Sequence, residues 1–128
     1  MYRYPDNKAI MWVIQTITVK QAWWDSGPGN WDTNNSPTLA AGAVSVGTPD
    51  VFTMYRYSGD RMMLWGFFSN TDHFNASPGW DTGAGNWDIN NSPVLFVADY
   101  TGDGLGDIMT VYNYGNGNMA IWCIYKSA

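Results

Sequence analysis

At 128 residues the chain is about one domain long, and its 16% aromatic and only 13% charged residues exclude a disordered segment or a coiled coil. All eleven acidic residues are Asp, and a net charge of −5 argues against a phosphate backbone as partner, so no nucleic acid is expected. The single Cys123 excludes an intrachain disulfide. No apolar run approaches the roughly 18 residues of a membrane span, and AIMWVI after Lys8 is too short for a signal peptide. The expectation is a soluble protein, cytoplasmic or secreted.

In chain order, the first element is the block MYRYPDNKAIMW at 1–12, which returns without a gap as MYRYSGDRMMLW at 54–65 and VYNYGNGNMAIW at 111–122. Trp12, Trp65 and Trp122 fall in the same phase, as do the tyrosine pairs Tyr2 and Tyr4, Tyr55 and Tyr57, and Tyr112 and Tyr114. A second block, WDSGPGNWDTNNSP at 24–37, returns at 80–93 as WDTGAGNWDINNSP, changed only at Ser26/Thr82, Pro28/Ala84 and Thr33/Ile89. The chain therefore divides into a repeat at 1–53, a second at 54–110 and a partial third at 111–128.

Each unit reads as strands. In DIMTVYNY, Ile108, Thr110, Tyr112 and Tyr114 alternate with Met109, Val111 and Asn113, a period of two, and turn signals such as SGD, GNGN and TGDG separate the runs. A unit of this length with about four short strands has the size of a propeller blade, and a propeller closes with roughly four to eight of them. The fold class is all-β. Two and a fraction blades leave apolar faces and sheet edges open, so homo-oligomerisation is expected, three chains giving six blades.

The tryptophan blocks carry the chemistry of a carbohydrate site. A pyranose packs its C–H face on an indole while Asp and Asn hold its hydroxyls, which nominates Trp24, Asp25, Asn30, Trp31, Asp32 and Asn34 in the first block and Trp80, Asp81, Asn86, Trp87, Asp88 and Asn90 in the second. Two equivalent sites in one rigid body gain avidity on a multivalent glycan. The competing reading makes Trp24, Trp31, Trp80 and Trp87 plugs at a sheet edge and Asp32 and Asp88 the heads of Asx turns. Under the binding reading, replacing Trp31 and Trp87 by Ala removes binding and spares the fold. Trp12, Trp65 and Trp122 read as packing between blades, the paired tyrosines as packing with hydroxyls at a wet edge, the alternative being a pocket beside the previous unit's tryptophan block, and His73 as a surface residue.

The nine-residue stretch DYTGDGLGD at 99–107 sets Asp99, Thr101, Asp103, the Leu105 carbonyl and Asp107 where they can curl around one hard cation, with Gly104 at the sharp turn, and points to structural Ca2+. The alternative is a metal-free Asp/Gly turn between strands. The counterpart GAVSVGTPD at 42–50 keeps only Asp50, so one metal per chain is expected.

Catalysis finds little support. There is no Glu to pair with an Asp across a glycosidic bond, one His and no GxSxG elbow, one Cys against the cluster zinc requires, and no GxxxxGKS loop. The reading is a binding protein, not an enzyme.

DYTGDGLGDI resembles the calcium loop of FG-GAP and VCBS repeats. The order Phe74, Gly79, Trp80, Asp81, Trp87, Pro93, Ala98, Asp99, Thr101, Gly102, Asp103, Gly104, Asp107, Ile108 is similar to the blade signature of the Psathyrella velutina lectin family. That resemblance implies a propeller binding N-acetylglucosamine-type sugars in pockets between adjacent blades. Asp88 and Ser92 depart from it, standing where the family tends to place a basic residue and a histidine. The second functional class that the residues support is a calcium-stabilised, integrin-like propeller scaffold for protein–protein interaction.

Overall fold

The structure is a computed structural model that describes residues 1–15 and 19–125. Its described residues are all-β, with ten strands in three antiparallel sheets. The first sheet holds β1 (Tyr2–Tyr4), β2 (Lys8–Gln15) and β3 (Val19–Asp25). The second holds β4 (Ala40–Gly42), β5 (Asp50–Tyr57), β6 (Arg61–Asn70) and β7 (His73–Asp81). The third holds β8 (Leu95–Ala98), β9 (Asp107–Gly115) and β10 (Asn118–Tyr125). In every sheet the strands lie side by side in chain order, the meander that short turns between period-two runs produce. Among the described residues, no helix is long and apolar enough to cross a membrane.

The three tyrosine-bearing blocks fold as three hairpins in one register. Tyr2 faces Ile10, Tyr55 faces Met63 and Tyr112 faces Ala120. Their turns place Asn7, Asp60 and Gly117 at φ of 55°, 49° and 79°, the left-handed conformation that closes the three-residue loops 5–7 and 58–60 and the two-residue loop 116–117 and that Asn, Asp and Gly tolerate. The sheets are out of step with the sequence units: the unit boundaries at 53/54 and 110/111 fall inside β5 and β9, and the tryptophan blocks are the connections between sheets. Residues 16–18 and 126–128 of the units lie outside the described residues.

Two apolar clusters fill the gaps between sheets. Ala9, Met11, Trp31 and Phe67 join the first sheet to the second. Phe52, Met54, Met62, Leu64, Trp87, Ile89 and Ile108 join the second to the third. Each tryptophan block thus drives one indole into a gap: Trp31 is 5% exposed and Trp87 8%. Removing either ring costs about 3–5 kcal/mol, much of a typical total of about 5–15 kcal/mol, so substitution by Ala threatens the fold that the sequence reading expected it to spare. Trp12 and Trp122, expected as packing residues, are instead exposed, and Trp65 is half-buried. The backbone closes in where the second and third sheets meet: the Gly106 amide donates to the Ala43 carbonyl at 2.7 Å, and a Cβ on Gly106 would stand 2.3 Å from Val97 Cγ1.

The two buried indoles differ in one hydrogen bond. Trp87 Nε1 donates to Ser92 Oγ at 2.8 Å, whereas Trp31 Nε1 and Ser36 Oγ, at the matching positions, are buried without a partner. Ser92→Ala orphans a buried donor and lowers stability by about 1–3 kcal/mol, while Ser36→Ala breaks no such bond and changes stability far less. Urea denaturation of the two variants side by side checks the difference.

Candidate functional site

The site is built where a sheet ends and its tryptophan block begins. After β3, Asp25 Oδ1 accepts the Gly27 amide at 2.9 Å and the Asn30 side-chain amide donates to the Ser26 carbonyl at 2.9 Å, folding residues 25–30 into a tight loop. The loop is tied to the turn of its own hairpin: the Gly29 amide donates to Asp6 at 2.9 Å and the Trp31 amide to Asn7 at 3.0 Å. With its backbone held from behind, the Trp31 side chain enters the next sheet's territory. Asp32 then accepts the Asn34 amide at 2.9 Å and caps a single 3-10 turn, Thr33–Asn35. The second block repeats the construction, with Asp81 on Gly83, Asn86 on Thr82, Gly85 on Gly59, Trp87 on Asp60 and Asp88 capping Ile89–Asn91.

Trp31 meets a ring from each side. Its centroid lies 5.3 Å from Trp24, 4.5 Å from Tyr55 and 5.6 Å from Trp65, the first and last edge-on. Tyr57 stands 4.9 Å from Tyr55, and its hydroxyl accepts Trp65 Nε1–H at 3.3 Å. These rings enclose an open cleft of about 300 Å3. Buried Trp31 lies at its bottom, half-buried Trp24, Trp65, Tyr55 and Tyr57 line it, and Asp25, Ser26, Asn30 and the β7 residue Ala76 complete it.

The second block holds the same constellation. Trp87 lies 5.1 Å from Trp80, 4.4 Å from Tyr112 and 5.8 Å from Trp122. Trp122 Nε1 donates to the Tyr114 hydroxyl at 3.1 Å. The wall differs, because β10 is the outer strand of its sheet and nothing among the described residues stands beside it as β7 stands beside β6.

The carboxylates of both blocks are held by cations of their own hairpins. Lys8 Nζ sits 2.7 Å from Asp25, and Arg61 forks onto both oxygens of Asp81. The Lys8 hydrogen bond, and then the Gly27 amide, hold the Asp25 carboxyl below its ordinary range. The Arg61 fork, followed by the Gly83 amide, lowers that of Asp81 to about 2. Lys8 in turn is raised, chiefly by its hydrogen bond to Asp25. Both aspartates are exposed anions at neutral pH.

Of the twelve block residues nominated from sequence, the cleft brings together Trp24, Asp25, Asn30 and Trp31, and Trp80, Asp81, Asn86 and Trp87 hold the matching positions. Asp32, Asn34, Asp88 and Asn90 do not line the cleft: the aspartates cap 3-10 turns, the Asn34 side-chain oxygen accepts from Arg3 at 3.0 Å, and that of Asn90 accepts from Arg56 at 2.6 Å. Sequence reasoning did not nominate Tyr55, Tyr57, Trp65, Ser26 or Ala76. The signal for the first three was present, since the tyrosine pairs and tryptophans recur in phase, and the folded chain sets Tyr55, Tyr57 and Trp65 beside the preceding block.

In the 99–107 loop the carboxylates engage the loop's own backbone. Asp99 accepts amides of Gly102, Asp103 and Gly104 at 2.6, 3.1 and 2.9 Å, and Asp103 accepts that of Leu105 at 2.8 Å. Asp107 accepts the Tyr100 and Thr101 amides, both at 3.0 Å, and the Thr101 hydroxyl at 3.2 Å. Among the described residues no three His, Cys, Asp or Glu side chains converge as a metal-ligand group. Asp107 is 0% exposed, and its counterpart Asp50, 1% exposed, accepts the Ser69 amide at 2.8 Å and the Ser45 hydroxyl at 3.2 Å. The ninth-position aspartate thus anchors backbone in both halves, including the half without the other loop aspartates.

The Asp81–Arg61 pair carries a pH signature. A carboxyl lowered from 3.8 to about 2 stabilises the fold above the higher value, and that contribution is lost as pH falls through the lower one. The stability difference between the protein and its Asp81→Asn variant is therefore constant above about pH 4, shrinks between about 4 and 2, and vanishes below. Denaturation of both proteins across this range checks it.

No protein-family model, curated protein or solved structure matches the chain.

Proposed function

We propose that the chain is a non-catalytic, multivalent carbohydrate-binding protein whose sugar site is the aromatic cleft between the first and second sheets, with the second constellation as its equivalent. The supporting observation is the cleft itself: five aromatic rings around about 300 Å3, with a carboxylate, a carboxamide and a tyrosine hydroxyl among its lining groups. This is the size and make-up of a small-molecule site, largely apolar with a few directed polar groups. Indole and phenol faces take the C–H face of a pyranose, and Asp25, Asn30 and Tyr57 stand ready for its hydroxyls. N-acetylglucosamine-type glycans are the ligand class that the sequence resemblance implies.

The carboxylates support binding over hydrolysis in this reading. A glycosidase holds one carboxyl protonated near neutrality, whereas Asp25 and Asp81 are both pulled down by their cations. In this proposal the three sheets are successive blades of a propeller, which the common register of their hairpins supports, and further copies of the chain complete the wheel, three copies giving six blades.

A glycan array followed by calorimetry on the best sugar tests the reading. Trp24→Ala weakens binding more than tenfold, and Tyr57→Phe, which removes one hydroxyl and keeps the ring, weakens it roughly 3- to 10-fold. Failure to bind any glycan in a sugar-inhibitable way overturns it.

Structural calcium belongs to the same proposal. Asp99, Thr101, Asp103, the Leu105 carbonyl and Asp107 form an oxygen-only donor set suited to a hard cation, and binding one would exchange some of the loop's internal hydrogen bonds for metal ligands. Millimolar CaCl2 is expected to raise the melting temperature relative to EGTA, and Asp103→Asn to abolish the difference; equal melting temperatures in the two buffers remove calcium from the account.

A further inference from the structure

The three hairpins share one register but not one environment. Tyr55 and Trp65 pack on Trp31, and Tyr112 and Trp122 pack on Trp87. Tyr2 and Trp12, the same positions in the first hairpin, meet no tryptophan block among the described residues, and Tyr2 is 60% exposed. The chain thus presents three hairpins of one design to two indole wedges. The third hairpin is the poorer fit for its wedge in one respect: β10 is an edge, so Trp122 is exposed, whereas β6 carries β7 beside it and Trp65 lies opposite Pro78. The first hairpin brings what the third lacks, because β2 carries β3.

The mismatch extends to the other face of β10. Met62 and Leu64 of β6 are 0% and 2% exposed, while Met119 and Ile121, their counterparts, are 70% and 64% exposed. On that face β10 is open to solvent, while Met109 of β9 is buried. The first hairpin is buried on the face that carries Ala9 and Met11, against Trp31 and Phe67.

We propose that copies of this chain join by hairpin exchange: the β1–β2 hairpin of one copy displaces residues 111–125 from the Trp87 wedge of another, while 107–110 of β9 stay paired with β8. Tyr2 then takes the place of Tyr112 over Trp87, and Trp12 that of Trp122. From Val111 onward the registers match, with Tyr2 opposite Ile10 as Tyr112 is opposite Ala120. The incoming hairpin arrives with β3, which gives the second aromatic constellation the outer wall that β7 gives the first, and with its Ala9 and Met11 face already buried in its own copy. The contact joins one end of a copy to the opposite end of the next, so it propagates and closes only as a ring. Intramolecular docking of residues 111–125 competes equally at every concentration, so exchange grows only as concentration rises and the resident segment acts as a plug. This specifies how copies meet and is independent of what the clefts bind.

Native mass spectrometry and sedimentation of the intact chain over a concentration series test it, with no sugar present. A concentration-dependent shift from monomer to a closed oligomer is expected. Trp12→Ala removes the incoming ring and reduces the oligomer at least tenfold, whereas Trp122→Ala loosens the plug and increases it; opposite signs at two matching positions are the signature. If both variants weaken assembly, the exposed faces stick without exchange, and the exchange is wrong although copies still assemble. A monomer at all concentrations in the parent and in Trp122→Ala overturns assembly and exchange together, leaving the glycan measurement unaffected.

Discussion

The structure depends on an indole wedged between neighbouring sheets. A three- or four-stranded antiparallel sheet has two faces and no interior, and so it needs another layer against each apolar face. Trp31 and Trp87 provide the first contact of that layer, and the loops bearing them are bolted to the hairpin turn of the sheet they leave, through Gly29 and Trp31 on Asp6 and Asn7 and through Gly85 and Trp87 on Gly59 and Asp60. Each wedge therefore belongs covalently to one sheet and energetically to the next. Local hydrogen bonds aim it, and burial of a large ring holds it.

The same wedge makes the cleft. An indole at the bottom of a gap cannot be flush with the surface, and the rings that pack its edges, Trp24 from behind and Tyr55 and Trp65 in front, stand around an opening. The lining rings are fixed by core contacts and by the Trp65–Tyr57 hydrogen bond before any ligand arrives. Preorganised walls lose little conformational entropy on binding, which is how a small, modestly polar cleft gains affinity. Polar specificity is left to side chains already oriented by loop bonds, as Asn30 is by Ser26 and Asp25 by Gly27.

Much of this was legible in the residues, and the illegible part has a physical cause. Alternation in MYRYSGDRMMLW and DIMTVYNY is a backbone period, so the strands and hairpins could be read directly. Where one sheet stops is a different matter: a repeat looks the same from any starting point, and only the pairing of Ala40 with Phe52 shows that a sheet begins after the tryptophan block. The twelve block residues were likewise chosen by chemistry, which does not distinguish an aspartate that caps a turn from one beside an opening. Asp25 and Asp32 stand seven residues apart, yet one lines the cleft and the other accepts the Asn34 amide, because the Trp31 side chain between them turns inward. The exposure of Trp12 could not be read from a phase that it shares with half-buried Trp65.

Among the described residues most of the aspartates accept backbone amides. Asp25, Asp32, Asp81, Asp88, Asp99 and Asp103 all accept backbone amides two to five residues ahead, a reach that the short Asp side chain spans readily. Glu, one methylene longer, fits these turns poorly, which accounts physically for a chain with eleven Asp and no Glu. Carboxylates in these positions act as loop-formers first. Three of them also acquire a cation from their own hairpin, Asp25 from Lys8, Asp81 from Arg61 and, at 3.9 Å, Asp32 from Arg3, which ties the loop to that hairpin. Loops built in this way hold their shape without a core of their own, and that lets them carry an indole into one face of the molecule while leaving an opening on the other.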